Sequence, residues 1–384
     1  MHPLKAFIIC PSFVVIYSIG DIMGGTFIVR FKSVFLAILV AVLSVLIIVL
    51  PSGAIGAKKG LMLCFSTIVP SLFLFCALSL FAAYSGVAKT LGKPLSPISK
   101  ALFGLNGEEF SIFLLSLFSG YPVGAKLLSK TYENGGVGRK KALLMLGFCI
   151  NAGPAFIVIA VGQIMLGSKA DGYRLLFAHI LSSFLLALFL SPFLKRNWEE
   201  ENRLPETQRS ALPDCFVKSV SDAANSIISV CAFVVLFSAL GEIVSSLPLP
   251  ISIAKWVRSL LEITVGINAL NRKHLSLIAF LLGFSGVSVQ FQAMAAAKNL
   301  KPRYSFIVLS RTIHGVLSSV WIEITEKLWP RSLKTSVPPG SVSAALSGDV
   351  SASVALVLTG VVLAAFTLSN QIKMKHSPSN TFTP

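Results

Sequence analysis

The feature that most constrains this chain is a series of apolar runs, each close to the length that crosses a bilayer as a helix. Residues 33–50, 173–194 and 217–244 are clear examples, since a hydrocarbon core needs about 20 apolar residues in helical form. The runs are continuous, whereas the strands of a membrane barrel alternate polar and apolar residues over about ten positions. The pattern therefore predicts an all-α polytopic membrane protein.

Composition supports this and excludes other classes of protein. Only 13% of the 384 residues are charged and 54% are hydrophobic, whereas soluble proteins average about 25% charged residues. The net charge of +17 is typical of basic loops against anionic lipid headgroups, so we expect a lipid partner and no nucleic acid. The six cysteines form no CxxC pair, and the chain has no Walker, zinc or hydrolase motif. We therefore expect no enzyme activity, cofactor or metal.

The apolar and polar stretches divide the chain into nine segments. Residues 1–29 are open to two interpretations, a signal segment or a mis-assigned start. The predicted segments are an N-terminal extension (1–32), a first transmembrane helix (33–50), a first repeat (60–166), a linking transmembrane helix (173–194), a polar loop (195–213), a second repeat (217–325), a linker (332–349), a last transmembrane helix (350–369) and a disordered tail (370–384).

The two repeats are predicted from matched motifs in the same order. Ser119-Gly120-x-x-Val123 matches Ser285-Gly286-x-x-Val289, and an amphipathic linker precedes each, at 88–103 and at 251–263. If both Gly-broken stretches are re-entrant, the single span between the blocks inverts the second repeat against the first. An inverted repeat with two Gly-broken re-entrant hairpins is a recurring plan of secondary transporters.

The helix breaks indicate where a ligand would bind. Unwound backbone is tolerated in a membrane only where protein or a water-filled cavity satisfies its polar groups. We therefore expect the substrate-binding residues at the breaks and on the polar helix faces beside them. The candidates are Ser119, Gly120, Pro122, Gly124, Lys126, Asn151, Gly153, Pro154, Ser285, Gly286, Ser288, Gln290, Gln292, Arg311, His314 and Gly315.

The charges among these candidates favour an anionic ligand. Arg311 and His314 are three residues apart and share a helix face, while Lys126 follows the first break. No Asp or Glu lies in the middle of a predicted span, and buried ionisable groups in membranes are functional candidates by default. A carboxylate could bind Arg311 through two parallel hydrogen bonds. We expect these side chains to converge on one cavity.

Four segments resemble a known family, among them Phe148-Cys-Ile-Asn-Ala-Gly-Pro-Ala-Phe156 and Leu261-Glu-Ile-Thr-Val-Gly266. Ser119-Gly-Tyr-Pro-Val-Gly-Ala-Lys126 and Leu282-Gly-Phe-Ser-Gly-Val-Ser-Val-Gln290 are similar to motifs of the sporulation integral membrane protein YlbJ family. That family belongs to a wider group with the nucleoside-recognition or "Gate" domain. The resemblance implies a multi-pass protein of a bacterial cytoplasmic membrane, in particular the outer forespore membrane. It also implies movement of dipicolinic acid, a small aromatic dianion, during spore formation.

Three functions therefore remain open. The leading hypothesis is a transporter or facilitator of a small organic anion. A nucleoside or nucleobase carrier would instead use neutral amides such as Asn151, Gln290 and Gln292. A non-transporting sporulation scaffold would tolerate replacement of Arg311 and Lys126 as long as the protein folds.

Overall fold

The computed structural model describes residues 50–195 and 211–330, together with Ile38, Ala41 and Val45. These residues are helical apart from short connections and contain no strand, which confirms the all-α prediction. The predicted segments 1–32, 332–349, 350–369 and 370–384, and most of 33–50 and 195–213, lie outside the described residues. The helices are α1 (Pro51–Tyr84), α2 (Val87–Gly92), α3 (Ser96–Phe103), α4 (Gly107–Ser119), α5 (Tyr121–Glu133), α6 (Arg139–Leu146), α7 (Ala155–Met165), α8 (Lys169–Leu194), α9 (Leu212–Ser246), α10 (Ile251–Leu261), α11 (Ile263–Asn268), α12 (Leu275–Phe284), α13 (Gly286–Ala296) and α14 (Tyr304–Leu328).

Five stretches of the described chain are long and apolar enough to cross a membrane. They are Pro51–Tyr84, Lys169–Leu194, Leu212–Ser246, Arg272–Ala296 and Tyr304–Leu328. The fourth of these contains both α12 and α13, with the second predicted break inside it. The multi-pass membrane architecture expected from the sequence is thus present, while the inverted repeat and the re-entrant course of the breaks remain predictions.

The first long helix begins nine residues earlier than its apolar run, at Pro51. Proline suits this position because the first N–H of a helix has no partner within the helix. A π-helical turn, Cys64–Ile68, widens α1 just before Pro70. Proline cannot donate to the carbonyl four residues earlier, and its ring crowds that carbonyl. The turn accommodates the proline without ending the helix.

Helices α1 and α9 form one closely packed pair, and α12 and α14 form another. A Cβ added to Gly56 would lie 2.5 Å from the Ser238 carbonyl oxygen, and one on Gly60 would lie 2.9 Å from the Val235 Cα. Small residues four apart allow two backbones to approach closely, the usual way of packing helices in membranes. The glycines therefore set the distance between these two spans.

The first half of the bundle contains two sharp changes of direction. Helices α3 and α4 meet at 83°, where Gly104 adopts a left-handed conformation and Asn106 with Glu109 forms a capping box at the start of α4. Helix α4 ends at Gly120, whose φ of 90° suits glycine. Helix α5 then folds back against α4, with Pro122 in its first turn.

The second half contains the other predicted break. Helix α12 ends at Ser285 (φ 68°), and Gly286 (φ 70°) starts α13. Helix α12 packs along α14, where a Cβ on Gly283 would lie 2.5 Å from the Gly315 Cα. Helix α13 instead packs against α5, so the helices that follow the two breaks contact each other.

Candidate functional site

The centre of the site is an unwound segment, residues 147–153, between α6 and α7, which begins just after Pro154. Arg311 of α14 is fully buried and holds this segment: its Nη2 donates to the Gly147 carbonyl and its Nη1 to the Ile150 carbonyl. Carbonyls at a helix C-terminus lack partners within the helix and attract cations. The guanidinium thus replaces hydrogen bonds that the broken helix cannot make.

Two histidines extend this arrangement. The Nδ1 of His314 lies 3.1 Å from Arg311 Nη1, and its Nε2 lies 3.1 Å from the carbonyl oxygen of His179 on α8. The two imidazole rings have centroids 4.4 Å apart, with their planes tilted by 33°. The Nε2 of His179 accepts a hydrogen bond from the Ala152 backbone N–H at 3.0 Å. Both histidines are buried and, with Arg311, they connect α8 and α14 to the unwound segment.

Further hydrogen bonds join the segment to α4 and α8. The Asn151 Nδ2 donates to the Phe148 carbonyl and to the Ser116 Oγ, at 2.7 and 3.0 Å. The Ser183 Oγ also donates to the Phe148 carbonyl, at 2.9 Å. A Cβ on Gly124 would lie only 1.9 Å from the Cys149 carbonyl oxygen. Helix α5 can therefore lie against the segment only because residue 124 is glycine.

The first break lies directly beside the unwound segment. A Cβ on Gly153 would lie 3.3 Å from the Gly120 backbone nitrogen. The Ser119 hydroxyl bonds to the Ser79 hydroxyl of α1 and to the Leu115 carbonyl. Predicted site residues Ser119, Gly120 and Gly153 are thus brought together, in contact with α1 and with the last turn of α4.

The second break is linked to the first by Tyr121. Its hydroxyl donates to the Leu282 carbonyl at 2.9 Å, near the C-terminal end of α12. The Phe284 carbonyl accepts from the Gln290 Nε2 at 3.1 Å and from the Ser285 Oγ at 2.6 Å. Several of the carbonyls exposed by this break therefore have side-chain donors.

Two other candidates on α13 bond to each other. The Gln292 Nε2 donates to the Ser288 Oγ at 3.2 Å, one helical turn apart. Both are buried.

Lys126 occupies a different environment from Arg311. Its Nζ donates to the Asp222 carbonyl at 2.7 Å and to the Ser226 Oγ at 2.9 Å, and lies 3.5 Å from Asp222 Oδ1. The other carboxylate oxygen of Asp222 accepts from the Tyr84 hydroxyl at 2.7 Å. Lys126 and Arg311 therefore share no partner, and Lys126 has the acidic neighbour that the sequence did not lead us to expect.

Five side chains near the breaks each keep one buried polar atom without a hydrogen-bond partner in the described chain. We call them the central polar cluster: Asn151 (Oδ1), His179 (Nδ1), Gln290 (Oε1), Arg311 (Nε) and Ser318 (Oγ). They lie around a continuous series of contacts. Arg311 binds the carbonyl that precedes Asn151, His314 joins Arg311 to His179, and Gly283–Gly315 packing brings α12 against α14. Ser318 lies one turn beyond His314 on α14.

Sequence reasoning missed several residues of this site. His179 lies inside the apolar run 173–194, and its signal in the sequence is a lone histidine within a predicted span. Tyr121 lies within the quoted Ser119–Lys126 motif. Glu262, 2% exposed, accepts from the backbone N–H groups of Thr264 and Val265 at the start of α11. Its burial could not be foreseen because the preceding helix is amphipathic.

Comparison with known proteins supports the resemblance drawn from the motifs. The sporulation integral membrane protein YlbJ of Bacillus subtilis (strain 168) is 24% identical over 316 residues, covering 71% of this chain and 77% of that protein. No family model matches the chain, and no solved structure matches it. The chain is thus a membrane protein homologous to YlbJ, while membership of the nucleoside-recognition group stays a prediction.

Proposed function

We propose that this homologue of YlbJ is a transporter or facilitator of a small organic anion, with dipicolinic acid as the substrate during spore formation, and not an enzyme. The observation that carries the proposal is the central polar cluster beside two helix breaks. Buried polar atoms are nearly always hydrogen-bonded, and each one left alone costs about 1–3 kcal/mol. A permeating anion would accept hydrogen bonds from the Arg311 Nε, the His179 Nδ1 and the Ser318 Oγ, at the point where two broken helices meet.

The electrostatics of the cluster favour an anion over a cation. Arg311 makes no ion pair with a carboxylate in the described chain, and its hydrogen bonds go to backbone carbonyls and His314. A buried charge compensated only by dipoles costs several kcal/mol. An anion near the unpartnered Nε would lower that cost, whereas a cation would raise it. Because backbone carbonyls engage the two Nη atoms, we expect the ligand carboxylate to contact Arg311 through Nε, together with the donors beside it in the central polar cluster.

The direct test is uptake into proteoliposomes containing the purified full-length protein. We expect saturable, protein-dependent uptake of labelled dipicolinate and little uptake of labelled uridine. Liposomes without protein control for leakage. Uptake of uridine but not dipicolinate would replace this proposal with the nucleoside carrier, for which the amides of Asn151 and Gln290 are suited. Uptake of neither would favour the scaffold.

The cellular site proposed with this function is the outer forespore membrane, reached through insertion in the bacterial cytoplasmic membrane next to anionic lipid. A fluorescent fusion should surround the engulfed forespore. A uniform signal in the cytoplasmic membrane of the whole cell would contradict this location.

A further inference from the structure

A second polar site lies away from the central polar cluster, at the far end of α9 from the 195–213 loop. It is a cavity of about 540 Å³ between α1, α9, α10 and α11, within the range of roughly 300–1,000 Å³ typical of small-molecule sites. None of the sequence-predicted site residues lines it. We call this cavity the vestibule.

The vestibule lining is positively charged. Lys59, Lys255 and Arg258 contribute three cations against the single carboxylate of Glu242. Both Lys59 Nζ and Arg258 Nη2 lie 2.8 Å from the same oxygen, Glu242 Oε1. Because one carboxylate pairs with two cations, this group keeps a net positive charge. Lys255 increases the positive charge, since it makes no ion pair within the described chain.

Arg258 also has a donor that the described chain leaves unused. The Nε of Arg258 is buried and has no hydrogen-bond partner in the described chain. Arg258 thus uses one edge of its guanidinium for Glu242 and keeps the Nε donor unused. Ser238, whose side chain also lines the cavity, adds a hydroxyl to the wall. These groups match an anion with several acceptor oxygens.

Part of the vestibule lining lies next to the second break. On α1, Lys59, Leu63 and Ser66 line one face over about two helical turns, roughly 10 Å of depth. Thr264 and Val265 of α11 also line the vestibule. The adjoining Ile263 backbone nitrogen would lie 3.2 Å from a Cβ on Gly286. The α11 residues that line the vestibule thus follow directly after the residue that packs against the second break.

We propose that the vestibule is a binding site for a small dicarboxylate anion, held by Arg258 and Lys255. This deepens the proposed function, because it gives the substrate a first binding site outside the central polar cluster. The shared chemistry, an anionic oxygen cluster near a membrane surface, also fits a phospholipid headgroup, so the test must separate the two sources.

The test measures binding of dipicolinate to the purified full-length protein in phosphatidylcholine nanodiscs by equilibrium dialysis. We expect Lys255→Gln to weaken binding about three- to tenfold and Arg258→Gln about tenfold or more. The control is Lys58→Gln, which removes the same charge from an exposed neighbouring position that does not line the cavity, and should change binding less than about twofold. The monocarboxylate picolinate should bind more weakly than dipicolinate and lose less in the variants.

The outcomes separate this proposal from the proposed function. Binding that depends on Lys255 and Arg258 supports the vestibule even if proteoliposomes show no uptake, which would reject only the transport function. Unchanged dipicolinate binding in a folded Lys255→Gln protein overturns the vestibule site, whatever the uptake assay shows. Lys255→Gln leaves no ion pair broken, so it remains informative if Arg258→Gln misfolds. Competition by phosphatidylglycerol that abolishes dipicolinate binding at physiological salt would assign the site to a headgroup instead and overturn the proposal.

Discussion

Arg311 and Lys126 were expected to hold one ligand together, and the structure gives them different partners. Arg311 is fully buried and binds backbone carbonyls of the unwound segment. The Lys126 side chain is 18% exposed and pairs with Asp222 on α9. The planar fork of a guanidinium can satisfy two carbonyls at once, whereas an ammonium is a compact charge that suits one carboxylate. Arg311 thus maintains a broken helix, whereas Lys126 joins two helices at a more accessible place.

The largest effect should come from replacing Arg311. We expect Arg311→Gln to destabilise the protein by about 3–5 kcal/mol, because it leaves the Gly147 and Ile150 carbonyls without strong donors in a buried site. Arg311→Lys should recover only part of this loss, since one ammonium cannot span both carbonyls in the same geometry. Thermal unfolding in detergent, with membrane abundance measured by immunoblot, checks both.

The Arg311 result also separates its structural contribution from any ligand contact. An Arg311→Gln protein with wild-type unfolding temperature would show that the carbonyl bonds contribute little. If that protein also lost dipicolinate uptake, Arg311 would act on the ligand alone, as expected from the sequence.

A smaller effect should follow from crowding the contact between α5 and the unwound segment. Gly124→Ala places a Cβ that would lie 1.9 Å from the Cys149 carbonyl oxygen, so the backbone must move, at a cost of about 1–3 kcal/mol. Gly138→Ala is the matched control, because no atom lies within 4 Å of its added Cβ, and it should change stability by less than about 0.5 kcal/mol. Chemical unfolding of the two variants compares them. Equal stability would mean that α5 does not need this close approach.

The smallest effect should be the coupling of Lys126 to Asp222. Their side chains are partly exposed, at 18% and 25%, so we expect a coupling energy of only about 0.5–1 kcal/mol. A double-mutant cycle with Lys126→Gln and Asp222→Asn measures it. Tyr84→Phe is measured as a third single variant, because the Tyr84 hydroxyl also donates to Asp222. A coupling above about 3 kcal/mol would place Lys126 in the same buried class as Arg311 and remove the contrast.

Much of the architecture could be predicted from hydropathy alone. The apolar runs 173–194 and 217–244 coincide with the spans Lys169–Leu194 and Leu212–Ser246, because burial of a helix in lipid depends on local composition. The breaks at Gly120 and Ser285 were also predicted, since glycine and proline act on the backbone within a few residues. The start of α1 at Pro51 was not, because it depends on Gly56 and Gly60 packing against α9, a partner about 180 residues away.

The division between sequence and tertiary structure is clearest at the polar residues. The sequence by itself determined that four polar residues would be buried near helix breaks: Arg311, His314, Asn151 and Gln290. Polar side chains in apolar runs are buried in protein because lipid offers them no hydrogen-bond partners. Only the tertiary structure decided their partners. Hydrogen bonds act over about 3 Å, so whether a guanidinium meets a carbonyl, an imidazole or a carboxylate depends on how α5, α8, α9 and α14 pack. That packing paired Lys126 with Asp222, joined His179 to His314, and placed the Glu242–Arg258 pair beside a cavity that no local pattern reveals.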